Sequence, residues 1–229
     1  MIHPIYFLNV KIHLMQTTSI LLLLLSHTAA LMSSTPSSHW RALLKASIDG
    51  HRHIKGQNYV QFATVSPDLK PKNRMLVFRG FAEAQNTTHP PLKFITDSRS
   101  NKISDLSHNP SAEVVYWFQQ SQEQYRISGT CTLVTHSSTT PLHLQERLDT
   151  WSNLRGNAKE QFFWVNEFYE KKTASQVPVD GLGVNGEVLP PPNTFVLVLF
   201  KPTNIGLLTL TDSSRIEWDG DEGIGKRLN

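Results

Sequence analysis

From Tyr59 onward the sequence breaks into short runs of strand-forming residues separated by turn formers, and nothing else in it constrains the fold as tightly. In residues 59–65, Val60, Phe62 and Thr64 alternate with Gln61 and Ala63, the period of a strand with one buried face. Pro67 marks a turn, and a second run covers residues 74–81. Residues 92–96, 113–118 and 124–134 read as further strands, the last two forming a hairpin across residues 119–123. Beyond a Gly/Pro-rich loop at 181–192 come a strongly apolar strand at 194–200, another at 205–211 and a last one at 215–218. Helical spacing is confined to three short stretches. One is capped by Ser38 and carries Trp40, Leu43 and Leu44. One starts at Asp97 or Ser98, carries Ile103 and Leu106, and ends near Asn109-Pro110. One runs through Leu144, Leu148 and Trp151. There is no βαβ repeat and no GxGxxG, so a dinucleotide-binding Rossmann fold is not supported. Many short strands with tight turns predict a mostly β fold, a barrel with a few short flanking helices.

Charge and cysteine content narrow the function. Lys and Arg number 22 against 19 Asp and Glu, a net charge of +3. That excess is too small to argue for nucleic acid, but a small anionic ligand needs only a few well-placed cations. The single cysteine, Cys131, excludes an intrachain disulfide and a CxxC zinc site. The histidines form no HExxH pattern, and no metal site is expected.

Residues 1–36 read as an extension outside the fold. No Asp or Glu precedes Asp49; Lys11 and His13 stand before the apolar run 20–25, and Ala29-Ala30 follow. This is the layout of a secretory signal peptide. The Ser/Thr content suits an organelle transit peptide, for chloroplast or mitochondrion, equally well. An upstream extension with no role, leaving a cytoplasmic protein, is the third reading. The apolar run is too short for a stable membrane span. The folded domain is expected over residues 37–229.

Three segments of the body carry chemistry when taken together. In Arg74-Met75-Leu76-Val77-Phe78-Arg79, an arginine stands at each end of an apolar strand. Their opposite parity keeps both from facing one side of a regular strand, but a strand end or bulge relaxes this, and each can offer forked donors to an anion. In residues 94–102 a strand runs into a helix start, gathering Thr96, Ser98, Ser100, Arg99 and Lys102. Free N–H groups, hydroxyls and cations at a helix N-terminus make a phosphate cradle. Gln124, at the start of the 124–129 run, can hydrogen-bond the polar edge of a ring. Each segment alone is equally an ordinary strand end, a capped surface helix or an exposed strand residue.

In order and spacing these segments resemble the pyridoxamine 5'-phosphate oxidase family of split-barrel flavoproteins. That family has an R-x-V-L-L-K strand, a Y-T-x-x-x-S-R-K turn, an N-P pair and an R-Q-V-x-x-x-G strand. Here stand Arg74 to Arg79, then Thr96 with Ser100-Asn101-Lys102, then Asn109-Pro110, then Gln124 with Gly129. The strand and turn are most similar to the divergent branch of plants, fungi and cyanobacteria. The resemblance implies a Greek-key split barrel that binds FMN across a homodimer interface. Arg74, Leu76, Val77 and Phe78 would line the flavin; Thr96, Ser100 and Lys102 would hold the phosphate and ribityl chain; Gln124 would contact the ring edge. Arg79 is a candidate for contact with both cofactor and substrate, since it ends the flavin-lining strand and stands where the oxidase has a lysine that touches the substrate phosphate; Arg155 and Arg215 are the remaining candidates for substrate contact. The substrate implied is a small molecule, with a phosphorylated amine as one candidate, and no catalytic base is identified. The sequence departs from the family at Asn101, where the turn has an arginine and Arg99 is the available stand-in. It departs again at residues 151–159, which keep only Arg155 of the trio that holds the vitamin phosphate, and after Arg215, where the R-x-H-x-R ending is absent. The flavin half of the site looks kept and the vitamin half lost. The alternatives to an FMN-dependent oxidoreductase are a flavin-binding or sensing protein without catalysis and a barrel that has lost FMN.

Overall fold

A computed structural model describes residues 39–83, 87–164, 178–221 and 223–228, all within the second of the two units into which the chain divides, residues 39–229. The signal-like segment 1–36 and the proposed Ser38 cap lie outside the described residues. Helix α1 (Trp40–Gly50) is instead capped by His39, whose side chain accepts a hydrogen bond from the Arg41 amide.

Strands β1 (Tyr59–Val65), β2 (Pro71–Val77), β3 (Leu92–Asp97), β4 (Ser111–Phe118), β5 (Glu123–Val134), β6 (Phe195–Thr209), β7 (Ser214–Asp219) and β8 (Lys226–Arg227) form one antiparallel sheet. Its order is β2-β1-β4-β5-β6-β7-β8, with β3 on the first half of β6. Helices α2 (Asn101–His108), α3 (Pro141–Ser152) and α4 (Gly156–Glu160) flank it. The curled sheet is not closed. Beyond β2 a short clasp joins residues 79–82 to the start of β3, through Arg79 N–H to Lys93 O (2.9 Å), Lys93 N–H to Gly80 O (2.8 Å) and a bridge between Phe81 and Leu92. Elsewhere β2 and β3 share no ladder. This is a split barrel, as the strand pattern and the resemblance predicted.

The core follows from alternation. Val60 and Phe62 of β1, Phe94 of β3, Tyr116 and Phe118 of β4 and Phe200 of β6 all point inward and are buried. The Phe62 and Phe94 rings meet edge-on at 5.2 Å, and Tyr116 stacks on Phe118 at 5.0 Å. Trp40 and Leu44 of α1 join this cluster. The unbroken apolar run at the start of β6 is buried on both faces. Val198 and Phe200 belong to the barrel interior, whereas Phe195 packs with Trp151 of α3, ring centroids 5.0 Å apart.

Two expectations are corrected. The two strands predicted at 194–200 and 205–211 are one strand, β6, running through Pro202. Proline is tolerated there because the ladder to β5 shifts register between Ser128 and Gly129, and Gly129 is the residue opposite Pro202. A Cβ on Gly129 would lie 2.4 Å from the Lys201 carbonyl oxygen, so the crossing requires glycine. The strand predicted at 74–81 runs instead over Pro71–Val77. It ends where Gly80 takes φ +93°, and the chain turns into the clasp.

Candidate functional site

The split between β2 and β3 holds a cleft of about 760 Å3, within the range of small-molecule and cofactor sites. Residues 72–77 of β2 and Arg79 form one wall. Ile95, Thr96 and Asp97 of β3, the turn 99–101, and Lys102 and Asp105 of α2 form the other, and Gln161 and Phe162 close the rim. Arg74, Leu76, Val77, Arg79, Thr96, Ser100 and Lys102, singled out from sequence, thus share one cavity. Arg74 and Arg79 both reach it despite their parity because β2 ends between them, at Val77.

At one end the strand-to-helix turn gathers donors. Thr96 is nearly buried, the last inward position of β3. Ser100 is the N-cap of α2 but makes no side-chain capping bond; the Ile103 amide donates to the Ser100 carbonyl (2.9 Å), and the Ser100 hydroxyl covers none of the first-turn amides. The Lys102 ammonium donates to Thr96 Oγ1 (2.9 Å) and to the Ser100 hydroxyl. Among the described residues no carboxylate lies within ion-pair distance of it. Burial pushes the Lys102 ammonium down to about 8, and the Arg74 guanidinium pushes the same way; Asp97 and Asp105 oppose them only in part. A half-buried cation held by neutral hydroxyls beside an uncapped helix start fits a phosphate, whose oxygens would accept from all of them.

Arg74 is fixed from behind. Its Nη1 donates to Thr64 Oγ1 (2.7 Å) and to the Phe62 carbonyl (3.2 Å), and its Nη2 donates to Asp105 Oδ2 (3.2 Å). The Thr64 hydroxyl in turn donates to Asp105 Oδ2 at 2.7 Å. Sequence reasoning missed Asp105 and Thr64. Asp105 lies three residues beyond Lys102 on α2, a spacing that puts both on one helix face. Nothing local signals Thr64.

Other expectations change. Arg99 lines the cleft, with its guanidinium forked onto Asp97, Nε to Oδ1 at 2.8 Å, and reaching the Trp164 carbonyl. Its charge is already matched by that carboxylate. The Phe78 side chain does not line the cleft; it lies just past the end of β2 and is buried in the core against Phe81, Phe94 and Tyr116. Gln124 and Arg215 do not line the cleft either. Ladder pairing places them in one row, Trp117–Gln124–Leu208–Arg215, across β4 to β7, and Arg215 pairs with Glu217 at 2.6 Å.

Arg79 lies at the clasp end of the cleft. Its pKa is lowered chiefly by burial, with Tyr59 opposing and Arg155 adding a smaller push downward; Arg155 itself is exposed and does not line the cleft. The buried Arg79 Nε has no hydrogen-bond partner among the described residues.

Residues 37–135 match the model described as "Pyridoxamine 5'-phosphate oxidase, FMN-binding domain". A pyridoxine/pyridoxamine 5'-phosphate oxidase 2 of Arabidopsis thaliana is 28% identical over 182 residues, 77% of this chain and 86% of the relative. A pyridoxine/pyridoxamine 5'-phosphate oxidase of Nostoc punctiforme is 29% identical over 131 residues, 53% of this chain and 58% of the relative. A crystal structure of a pyridoxamine 5'-phosphate oxidase-related, FMN-binding protein from Nostoc punctiforme superposes with a TM-score of 0.70 at 28% identity, covering 86% of this chain and 99% of that one. PhzG from Burkholderia lata shares the fold, with a TM-score of 0.63 at 19% identity over 85% and 93% of the two chains. Residues 37–135 thus match the pyridoxamine 5'-phosphate oxidase FMN-binding domain, and the chain as a whole is similar in sequence and in its split-barrel fold to pyridoxamine 5'-phosphate oxidase-related proteins.

Proposed function

We propose that this chain binds FMN in the β2–β3 cleft and acts as an FMN-dependent oxidoreductase on a small molecule, with phosphorylated amines as the first candidates. The observation that carries this reading is the Lys102 ammonium, half-buried at the start of α2 and held by two hydroxyls. Thr96, Ser100, Lys102 and Arg74 would hold the phosphate end. Leu76 and Val77 offer the apolar wall that a flat ring needs. When bound, FMN supplies hydride acceptance, which no side chain of this protein can. The chain's own part is to bind and orient, and Arg79 with Arg155 provides positive charge at the far end of the cleft, where an anionic group is stabilised.

A homodimer forms part of the proposal. Tyr59, Met75 and Trp117 are 53%, 56% and 41% exposed, an apolar outer face beside Gln124. A second copy seated there would cover these side chains and bring Gln124 and Arg215 toward a cleft that their own chain does not let them reach.

The experiment is an absorbance titration of the full chain with FMN. A perturbed flavin spectrum saturating at one FMN per chain is expected. A spectrum unchanged at about 100 µM FMN, a level that fills any site of micromolar affinity, would sink the proposal. A second reading, flavin binding without catalysis, is favoured by the exposure of Arg155 and the distant row of Gln124 and Arg215. Aerobic turnover of pyridoxamine 5'-phosphate by the loaded protein rejects that reading.

A further inference from the structure

Asp105 is a carboxylate at the floor of a site built for an anion. It is 4% exposed, yet it belongs to the cleft lining. A negative charge there weakens the hold on a phosphate by simple Coulomb repulsion unless it does something that offsets this. Its contacts show what that is. Asp105 Oδ2 receives the Thr64 hydroxyl at 2.7 Å and Arg74 Nη2 at 3.2 Å, so one oxygen joins α2 to β1 and β2. The same Thr64 oxygen accepts from Arg74 Nη1 at 2.7 Å. Two of the guanidinium nitrogens are thereby turned toward the barrel wall, which sets the plane of the fork.

The charges around Lys102 complete the picture. Arg74 faces it from β2, Asp97 from β3 and Asp105 from its own helix. Asp97 is already forked by Arg99. Asp97 still acts on Lys102, and more strongly than Asp105 does, but Asp105 alone of the two also contacts Arg74, so it is the carboxylate shared between the two cations at this half-buried end. We propose that Asp105 is the positioning residue of the anion clamp, fixing Arg74 through Thr64 and supplying the counter-charge that lets Arg74 and Lys102 stand together. It touches neither cofactor nor substrate in this role. The inference rests on FMN phosphate occupying this end of the cleft.

The test is titration of the full chain with FMN and with riboflavin, which lacks the phosphate, across pH 6 to 9.5 by flavin fluorescence quenching. Asp105→Asn removes the counter-charge. Its FMN affinity is expected to begin falling at lower pH than in the wild type, with the alkaline midpoint displaced downward by half a pH unit or more and riboflavin binding unchanged. Thr64→Val keeps the charge and removes the tether. FMN affinity is expected to drop about fivefold, the scale of a hydrogen-bond contribution passed on through Arg74, with the midpoint unmoved. Equal losses for FMN and riboflavin with a fixed midpoint in both variants mean that Asp105 only holds the fold together, and the proposal is overturned. If Asp105→Asn does not fold, Thr64→Val decides: an FMN loss without riboflavin loss supports the clamp, and no loss of FMN affinity rejects it. A wild type that binds neither flavin overturns the cofactor assignment and the clamp's role with it; a wild type that binds FMN beside variants that match it overturns only the role of Asp105.

Discussion

The two ends of the cleft are built differently. At the α2 end Lys102, Arg74 and Arg99 each have a prescribed place: Lys102 between two hydroxyls, Arg74 pinned by Thr64 and Asp105, Arg99 tied to Asp97. At the clasp end Arg79 leaves a buried Nε without a partner among the described residues, and Arg155 is exposed on the N-cap of α4. Binding strength depends on how much ordering is done in advance, because each side chain immobilised on binding costs free energy. The α2 end is preorganised for an anion of fixed shape. The clasp end has charge without scaffolding, suited to a second molecule that brings its own order or to a partner subunit that completes the wall.

The largest effect that sharpens this contrast comes from removing both cations of the ordered end. Arg74→Ala with Lys102→Ala is expected to weaken FMN binding by about a hundredfold or more, since charge-assisted hydrogen bonds contribute roughly 1.5–3 kcal/mol each. Riboflavin binding should change little, because the ring wall of Leu76 and Val77 is untouched. Parallel titration of the two flavins checks it. Equal losses for both would place the phosphate elsewhere and break the comparison.

Proton linkage gives the next effect. Lys102 in the apoprotein titrates at about 8, against an ordinary value of 10.5, chiefly through burial. A bound phosphate favours the ammonium, so binding takes up a proton above that pH. FMN affinity is then expected to be flat to about pH 8 and to fall by about tenfold per pH unit beyond it. Stability of the apoprotein runs the other way. Between about 8 and 10.5 the unfolded chain holds the Lys102 proton and the folded chain does not, so this group stabilises the fold as pH rises through that window. Thermal unfolding of apo and FMN-loaded protein across pH 7.5 to 10 should show the two midpoints converging. Parallel curves would reject Lys102 as the group responsible.

How much of this the sequence carried depends on the range of each interaction. The strands were legible because alternation is a local signal: Tyr59–Val65 is observed with the predicted bounds. The ordered end was legible in part because Thr96, Ser100 and Lys102 lie along one strand-to-helix turn, where chain geometry alone brings them together. Asp105 and Thr64 were not, because their meeting depends on how α2 lies across β1, which no local pattern encodes. The continuity of β6 was lost to Pro202, normally a strand breaker. It is tolerated here through a register shift on the neighbouring strand, which sits some seventy residues away in sequence. Phe78 shows the converse error. A motif placed it beside a ligand, and burial of its ring in the core outweighed the motif.

The smallest expected effect on flavin binding is also the one that tests the comparison most directly. Arg79→Ala is expected to leave FMN affinity within about threefold, the scale of a charge that is not engaged by the ligand. It should also relieve the repulsion that Arg155 exerts across the clasp end. If that end receives a second anion, the same substitution must weaken it strongly: competition by pyridoxal 5'-phosphate or inorganic phosphate against the FMN-loaded protein should lose about tenfold or more. Arg155→Ala should do less, because an exposed guanidinium is screened by solvent and salt. The opposite ranking, with FMN lost and the second anion unaffected, would mean that Arg79 belongs to the cofactor and that the two ends of the cleft serve one molecule.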